Sequence, residues 1–201
     1  SEDMRTRLFN TLVNSYESQD EALRHFIQAY LASVASVDDQ IGRILDAVDN
    51  SSLKDNTIII LTSDHGWGMG QKNYLYKNSL WQESTRVPLI IRAPGVARAK
   101  GVSAQPVSLI DSYPTLVDLC ALSKETRKNK KGHPLDGYSL KSLLVSPEKG
   151  KWSGPSSAFG SIEQAMVATC IRTSLQYEPS EQDCSAVSYT HLRAHETRED
   201  G

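Results

Sequence analysis

Apolar positions between residues 18 and 50 recur three and four apart: Leu23, Phe26, Ile27, Tyr30, Val34, Val37, Ile41, Ile44, Leu45 and Val48. That spacing gathers them on one face and predicts a long amphipathic helix. Ser18 followed by Glu21 reads as a capping box at its start, and Asn50, Ser51 and Ser52 supply stop chemistry at its end. The pattern then changes. "TIIILTS" (57–63) is a continuous β-branched run, which suits a strand buried on both faces of a helix-covered sheet. "VPLIIRAPG" (87–95) predicts a second such strand, with Pro88 at its entrance and Pro94-Gly95 closing it. "QPVSLIDSYPTLVDLCAL" reads as a short strand and then a helix that Asp111 or Ser112 could cap, with Pro114 near its first turn. Helix and buried strand in alternation predict α/β architecture.

Further along, periodicity weakens. "SKETRKNKKGHP" is polar, "LDGYSLKSLL" is a short amphipathic piece and "SPEKGKWSGPSS" is loop-like, which puts a boundary near 146–157. "AFGSIEQAMVATCIRTSLQY" has the β-branched character of one or two antiparallel strands. The expected organisation is a main unit over 1–150, the start of a small subdomain over 151–187, and a foreign or disordered tail over 188–201. The tail, "SYTHLRAHETREDG", is polar, uncapped and similar in texture to translated adaptor sequence.

Composition narrows the function classes. The chain has 201 residues, 39% of them hydrophobic, enough for one substantial core. With 22 basic and 24 acidic side chains the net charge of −2 gives no field favouring nucleic acid or an anionic membrane. No apolar run is long enough to span a bilayer. The amino end has neither an initiator methionine nor a signal-type segment, so the chain is expected to be a piece of a longer protein. Cys120, Cys170 and Cys184 follow no C-x-x-C spacing and support neither a zinc cage nor a disulfide framework.

Candidate chemistry concentrates in "IIILTSDHGWGMGQKNYLYKNSLW" (58–81). In open α/β sheets ligands collect where strands end, and Asp64 and His65 stand at such an end. A carboxylate and an imidazole side by side, with Gly66, Gly68 and Gly70 allowing close backbone approach, can give two ligands to a divalent cation. The plain alternative is that Asp64 caps a turn and His65 is a polar loop residue. Lys77, thirteen residues beyond Asp64, could aim an ammonium at an anion held by that metal, although most lysines are merely solvated. Gly70 is followed by Gln71-Lys72-Asn73, so the G-K-[ST] of a phosphate loop is missing and a nucleotide site is disfavoured. Asp38 and Asp39 lie within the long helix, where charges form a solvated face. "KETRKNKK" (124–131) could contact a sulfated glycan but reads first as a solvated loop, and His191 with His195 lacks the H-E-x-x-H order.

"TSDHGWGMGQKNYLYKNSLWQESTRVPLIIRAPG" resembles the central portion of type I sulfatases, particularly those similar to iduronate-2-sulfatase and choline sulfatase. The likeness extends upstream through "YLASVASVDDQIGRILDAV" and downstream through "VSLIDSYPTLVDLCAL" and "LDGYSLKSLL", covering roughly residues 20–145. It implies an incomplete alkaline-phosphatase-like α/β fold. It also implies Ca2+ as the cation, Asp64 and His65 as two of its ligands, and Lys77 as the lysine that contacts sulfate. Histidine would suit zinc or manganese better than calcium, which leaves the exact divalent metal unsettled.

In that family the nucleophile is a formylglycine made from cysteine in a C-x-[PA]-x-R context, and none of the three cysteines here stands in one. The resemblance therefore implies a carboxyl-side fragment of a catalytic domain, with formylglycine expected only in the full-length parent. The parent would hydrolyse a sulfate ester of a carbohydrate or small molecule, and the isolated chain would be inactive. Two rivals stand beside this reading: a phosphodiesterase or phosphonate ester hydrolase of the same superfamily, and a non-catalytic glycan-binding remnant. Family members are commonly periplasmic, extracellular or lysosomal, and nothing in the pattern indicates an oligomeric state.

Overall fold

A computed structural model of the chain describes residues 4–125, 127, 132–162 and 165–169. The predicted long helix is present as α2, Gln19–Asp49, preceded by α1, Met4–Val13. Ser18 caps α2, its Oγ accepting from the Glu21 N–H at 3.2 Å, and Asn50 ends it with its N–H on the Asp46 carbonyl. α1 is not among the elements the pattern predicts. It packs Phe9, only 3% exposed, into a small core with Ala22 of α2 and with Tyr74 and Leu75.

Two short apolar strands follow as expected, β1 (Ile59–Thr62) and, after the site segment, a partner at Leu89–Arg92. They pair antiparallel with Ile59 opposite Arg92 and Thr62 opposite Leu89. Between them lie a tight hairpin, β2 (Gly68–Met69) and β3 (Leu75–Tyr76), and a single helical turn, α3 (Gln82–Thr85), which makes the Leu89–Arg92 strand β4. The expectation that these strands are buried on both faces is corrected: β1 is half-buried to exposed and Ile90 is 59% exposed. Among the described residues the sheet has only these two strands, so each has one edge without a strand partner and the sheet lacks the layers that would bury it fully. The same holds for the apolar stripe of α2, where Val37 and Ile44 are more than half exposed. The Asp49 carboxylate at the end of α2 pairs with Arg92 of β4, tying helix to sheet, and that hydrogen bond holds the carboxyl below its usual range.

The short strand expected before residue 110 does not form. The chain there runs as a loop into a 3-10 turn at Leu109–Asp111 and then α4, Ser112–Leu119. Pro106 offers no N–H, and the Ser108 N–H that a ladder would use donates instead to Asp111 Oδ2 at 2.7 Å. Asp111 also does not cap α4 with its side chain. Its other oxygen accepts from the Tyr138 N–H at 2.8 Å, reaching across to the segment before α5, Lys141–Val145. Thr115 completes this hub, donating to the Asp111 carbonyl at 2.6 Å and accepting from the Leu140 N–H at 2.9 Å. Around it Val117, Leu140, Leu143 and Ala158 are buried. An antiparallel hairpin, β5 (Ala158–Ile162) with β6 (Ala165–Thr169), follows the loop-like stretch. Cys170, Cys184, His191, His195 and the tail over 188–201 lie outside the described residues.

Candidate active site

The site grows from the end of β1. Ser63 Oγ donates to the His65 carbonyl at 2.8 Å, folding the chain tightly over Asp64. The Gly66 N–H donates to the Ser84 carbonyl of α3 at 2.7 Å. A Cβ at residue 66 would stand 2.1 Å from the Glu83 carbonyl oxygen, so only glycine lets the loop lie this close to α3. α3 is itself anchored by a buried hydroxyl pair, Ser79 Oγ donating to Ser84 Oγ at 2.6 Å.

The β2–β3 hairpin then returns the chain to His65. Gly68 pairs with Tyr76 and Met69 with Leu75, and the Gly70 N–H closes the turn on the Tyr74 carbonyl at 2.9 Å. The turn runs through left-handed backbone, with φ of 105° at Gly70, 56° at Lys72 and 55° at Asn73. Glycine and asparagine accept that region readily, whereas lysine costs about 1 kcal/mol or more there. The Lys72 ammonium lies 4.3 Å above the Trp81 ring, a cation–π contact that offsets part of this cost. Trp67 packs edge-on against Tyr76, with ring centroids 5.5 Å apart, and stands 6.4 Å from the His65 ring. The hairpin ladder and this aromatic contact together fix where Lys77 leaves β3.

Lys77 Nζ reaches His65 Nε2 at 3.0 Å, and Asp64 Oδ1 lies 3.6 Å from the same nitrogen. The structure thus brings together all three residues singled out from the sequence. His65 Nδ1 sits 2.8 Å from the Gly66 carbonyl oxygen, which can only accept, so the partners assign the ring proton to Nδ1. Nε2 then presents its lone pair outward. A proton on Nε2 would favour an ion pair with Asp64 but would destroy the contact with Lys77. The shorter distance to Lys77 decides for the lone pair. The Asp64 side chain is 69% exposed and that of His65 is 24% exposed, so one face of the cluster is open.

An imidazole whose Nδ1–H is held by a carbonyl and whose Nε2 faces outward is oriented as metal-binding histidines are. With Asp64 Oδ1 beside it, the pair fits as two neighbouring donors to one divalent cation. Among the described residues no group of three or more His, Cys, Asp or Glu could hold a metal, so Asp64 and His65 stand as two donors and not as a complete cage of such side chains. Trp67 Nε1 is buried with no hydrogen-bond partner in the described structure, next to this cluster. Neither Trp67 nor Lys72 was legible as part of the site. A tryptophan between two glycines at a strand exit was the available signal for the first, and the left-handed conformation of Lys72 has none.

Other candidates fall outside the cluster. His25 stacks on Tyr16 with ring centroids 5.1 Å apart, and Asp38 and Asp39 are exposed on α2. Of the basic run at 124–131, Arg127 forms a two-pronged pair with Glu125, whose carboxyl is held down to about 2 by those hydrogen bonds; Thr126 and residues 128–131 lie outside the described residues. No described helix is long and apolar enough to cross a membrane.

Comparison with known proteins identifies the scaffold. The Sulfatase family model matches residues 6–122. A sulfatase of Formosa agariphila is 43% identical over 108 residues, which is 54% of this chain and 21% of that protein. The choline-sulfatase of Rhizobium meliloti is 33% identical over 111 residues, 55% of this chain and likewise 21% of the relative. This chain therefore spans about a fifth of the length of these relatives. Among solved structures, one in complex with its substrate D-glucosamine-2-N,6-O-disulfate aligns with a TM-score of 0.65 at 27% identity, covering 76% of this chain and 31% of that one. The phosphonate monoester hydrolase from Silicibacter pomeroyi aligns with a TM-score of 0.62 at 28% identity, covering 72% and 26%. The α/β fold and the resemblance read from the sequence are thus shown, and, with more than half of its residues matched, the chain belongs to the sulfatase family.

Proposed function

We propose that this chain supplies the metal-and-anion half of a sulfate ester hydrolase site acting on a sulfated carbohydrate. The observation that carries the proposal is the convergence of Asp64, His65 and Lys77 on one point, built by a hairpin with a left-handed turn inside the family-matched segment. Asp64 Oδ1 and His65 Nε2 would hold a divalent cation, with calcium the family's expectation. Such a cation supplies Lewis-acid polarisation of an ester oxygen when bound. Lys77 brings a positive charge on a half-buried side chain to the same place, suited to a sulfate oxygen carrying charge in the transition state. Gly66 and the Gly66 carbonyl hold His65 in the orientation that keeps Nε2 available. The formylglycine nucleophile belongs to the part of the parent that this chain does not contain, and the chain alone is expected to turn over no sulfate ester.

Sulfated carbohydrate is favoured as substrate because the aligned structure noted above was solved with a disulfated glucosamine. The phosphonate monoester hydrolase that aligns nearly as well supports a second reading, in which the same cluster grips a phosphonate. The complete parent protein separates them when assayed on 4-nitrocatechol sulfate and on a phenyl phosphonate monoester side by side. A sulfate preference that Asp64→Ala abolishes is the expected result. A phosphonate preference transfers the cluster to the second reading, and activity undiminished in Asp64→Ala overturns both.

A further inference from the structure

A cavity of about 260 Å³ opens between the loop before Leu109–Asp111, the 136–138 segment and the stretch leading into β5, and it shares no residue with the Asp64, His65 and Lys77 cluster. One wall is aromatic. Trp152 and Tyr138 meet edge to face with ring centroids 6.0 Å apart. The Trp152 ring is fixed twice more: its Nε1–H donates to the Pro155 carbonyl at 2.9 Å, and a Cβ at Gly154 would stand 2.1 Å from its Cζ2. Tyr138 is anchored through its backbone N–H on Asp111 Oδ1 at 2.8 Å, while its side chain stays 43% exposed. An aromatic surface already immobile loses little further freedom when a ligand covers it. The polar groups select what can lie there. Two carboxylates line the cavity, but Asp111 is buried with both oxygens accepting from N–H groups. Asp136 is exposed, and a carboxylate is a strong acceptor for hydroxyl donors. Among the described residues no lysine, arginine or histidine lines the cavity, so an anionic ligand would find no countercharge and would be repelled by Asp136.

We propose that this cavity is a second sugar-binding place, taking one unsulfated pyranose unit against Trp152 and Tyr138, with Asp136 accepting from its hydroxyls. A pyranose offers a face of C–H groups to lie on an aromatic ring and hydroxyls at its rim to donate to a carboxylate. The volume suits a single ring rather than a chain of them. The two places then differ in sign: a lysine at the cluster for the sulfated unit, a carboxylate here for an unsulfated one. That both serve one carbohydrate rests on the reading above, whereas binding in this cavity does not.

The Trp152 Nε1–H signal in 15N NMR of the full 201-residue chain reads the site directly, with methyl β-glucoside, its 6-sulfate and tetramethylammonium as probes. The glucoside should move that signal saturably in the millimolar range. The 6-sulfate should bind at least about fivefold more weakly, the scale of one close like-charge pair in water. Asp136→Ala should weaken the glucoside by about fivefold, the net worth of one hydrogen bond, and Asp136→Asn should narrow the gap between the two sugars. A Trp152 signal unmoved by the glucoside at about 100 mM overturns the proposal. So does a 6-sulfate that binds as tightly as the glucoside, and so does tetramethylammonium binding more tightly than either, which would make the wall a cation cage. The wild-type titrations decide the matter even if neither variant folds. None of these outcomes touches the Asp64, His65 and Lys77 reading, which is tested by turnover in the parent protein.

Discussion

Asp64 and Asp111 invite the same sequence reading and stand in opposite surroundings. Each follows an apolar run, "IIILTSD" and "VSLID", and each could cap the next turn. In the structure Asp111 is 3% exposed, and its two oxygens accept from the Ser108 and Tyr138 N–H groups. Asp64 keeps most of its side chain in solvent, with one oxygen beside an imidazole lone pair. A carboxylate whose acceptor capacity is used by backbone donors is a structural joint. One held near a histidine and a lysine on an open face is available for a ligand. Around Asp111 the polar atoms of Thr115 and Ser139 are likewise paired, whereas around Asp64 the turn is strained at Lys72 and Trp67 Nε1 has no partner in the described structure. Strain and unused hydrogen-bonding capacity surround Asp64, as the proposed site would require, and completeness surrounds the Asp111 joint.

The contrast can be broken first at the joint. Asp111→Ala leaves two partly buried N–H groups without their acceptor and should cost about 2–6 kcal/mol, at roughly 1–3 kcal/mol each, in denaturant unfolding. A loss below about 1 kcal/mol would mean the joint is not what holds α4 to the 137–145 segment. Gly66→Ala comes next, because the new methyl meets the Glu83 backbone rather than a yielding side chain. It should cost about 1–3 kcal/mol, measured as a lowered Tm, and displace the His65 signals in NMR.

Acid–base behaviour sharpens the comparison further. Burial pushes the Asp111 carboxyl above its usual range, against the two N–H groups that pull it down. A raised native value means the folded chain holds this proton more tightly than the unfolded one. The resulting stabilisation is present below the ordinary carboxylate range and is lost as pH rises through the raised value. Wild type should therefore lose stability relative to Asp111→Asn as pH rises from the ordinary carboxylate range through the raised value, read by denaturant unfolding at each pH. A gain with rising pH would reverse the assignment. Smallest of all is Asp64→Ala, expected to change stability by less than about 0.5 kcal/mol because nothing buried depends on it. A drop comparable to that of Asp111→Ala would make Asp64 a second joint.

Much of this was legible in the chain. The period of three and four fixed α2, and Ser18 and Asn50 marked its ends within a residue. Both β-branched runs became strands, but their burial was over-read, because apolar character records what a surface is suited to meet and not whether a partner is present. α1 is short, and arginines interrupt its apolar positions, so it gave no clear face. The strand expected before Asp111 failed because a local side-chain acceptor outcompeted ladder pairing for the Ser108 N–H. At the site, Asp64 and His65 could be picked out by position at a strand end. Lys77 was one candidate among many solvated lysines until the resemblance singled it out, since its approach to His65 depends on two non-glycine residues in left-handed backbone, which no periodicity announces.

The central claim is that Asp64, His65 and Lys77 form a working site rather than a polar turn. It is tested most directly by kcat/KM on 4-nitrocatechol sulfate for the complete parent protein carrying Lys77→Ala, with Tm measured on the same sample. The account predicts a loss of about a hundredfold or more, the scale of removing one charge-stabilising donor, with Tm essentially unchanged. An unchanged kcat/KM, or a loss that merely follows a fall in Tm, would contradict it.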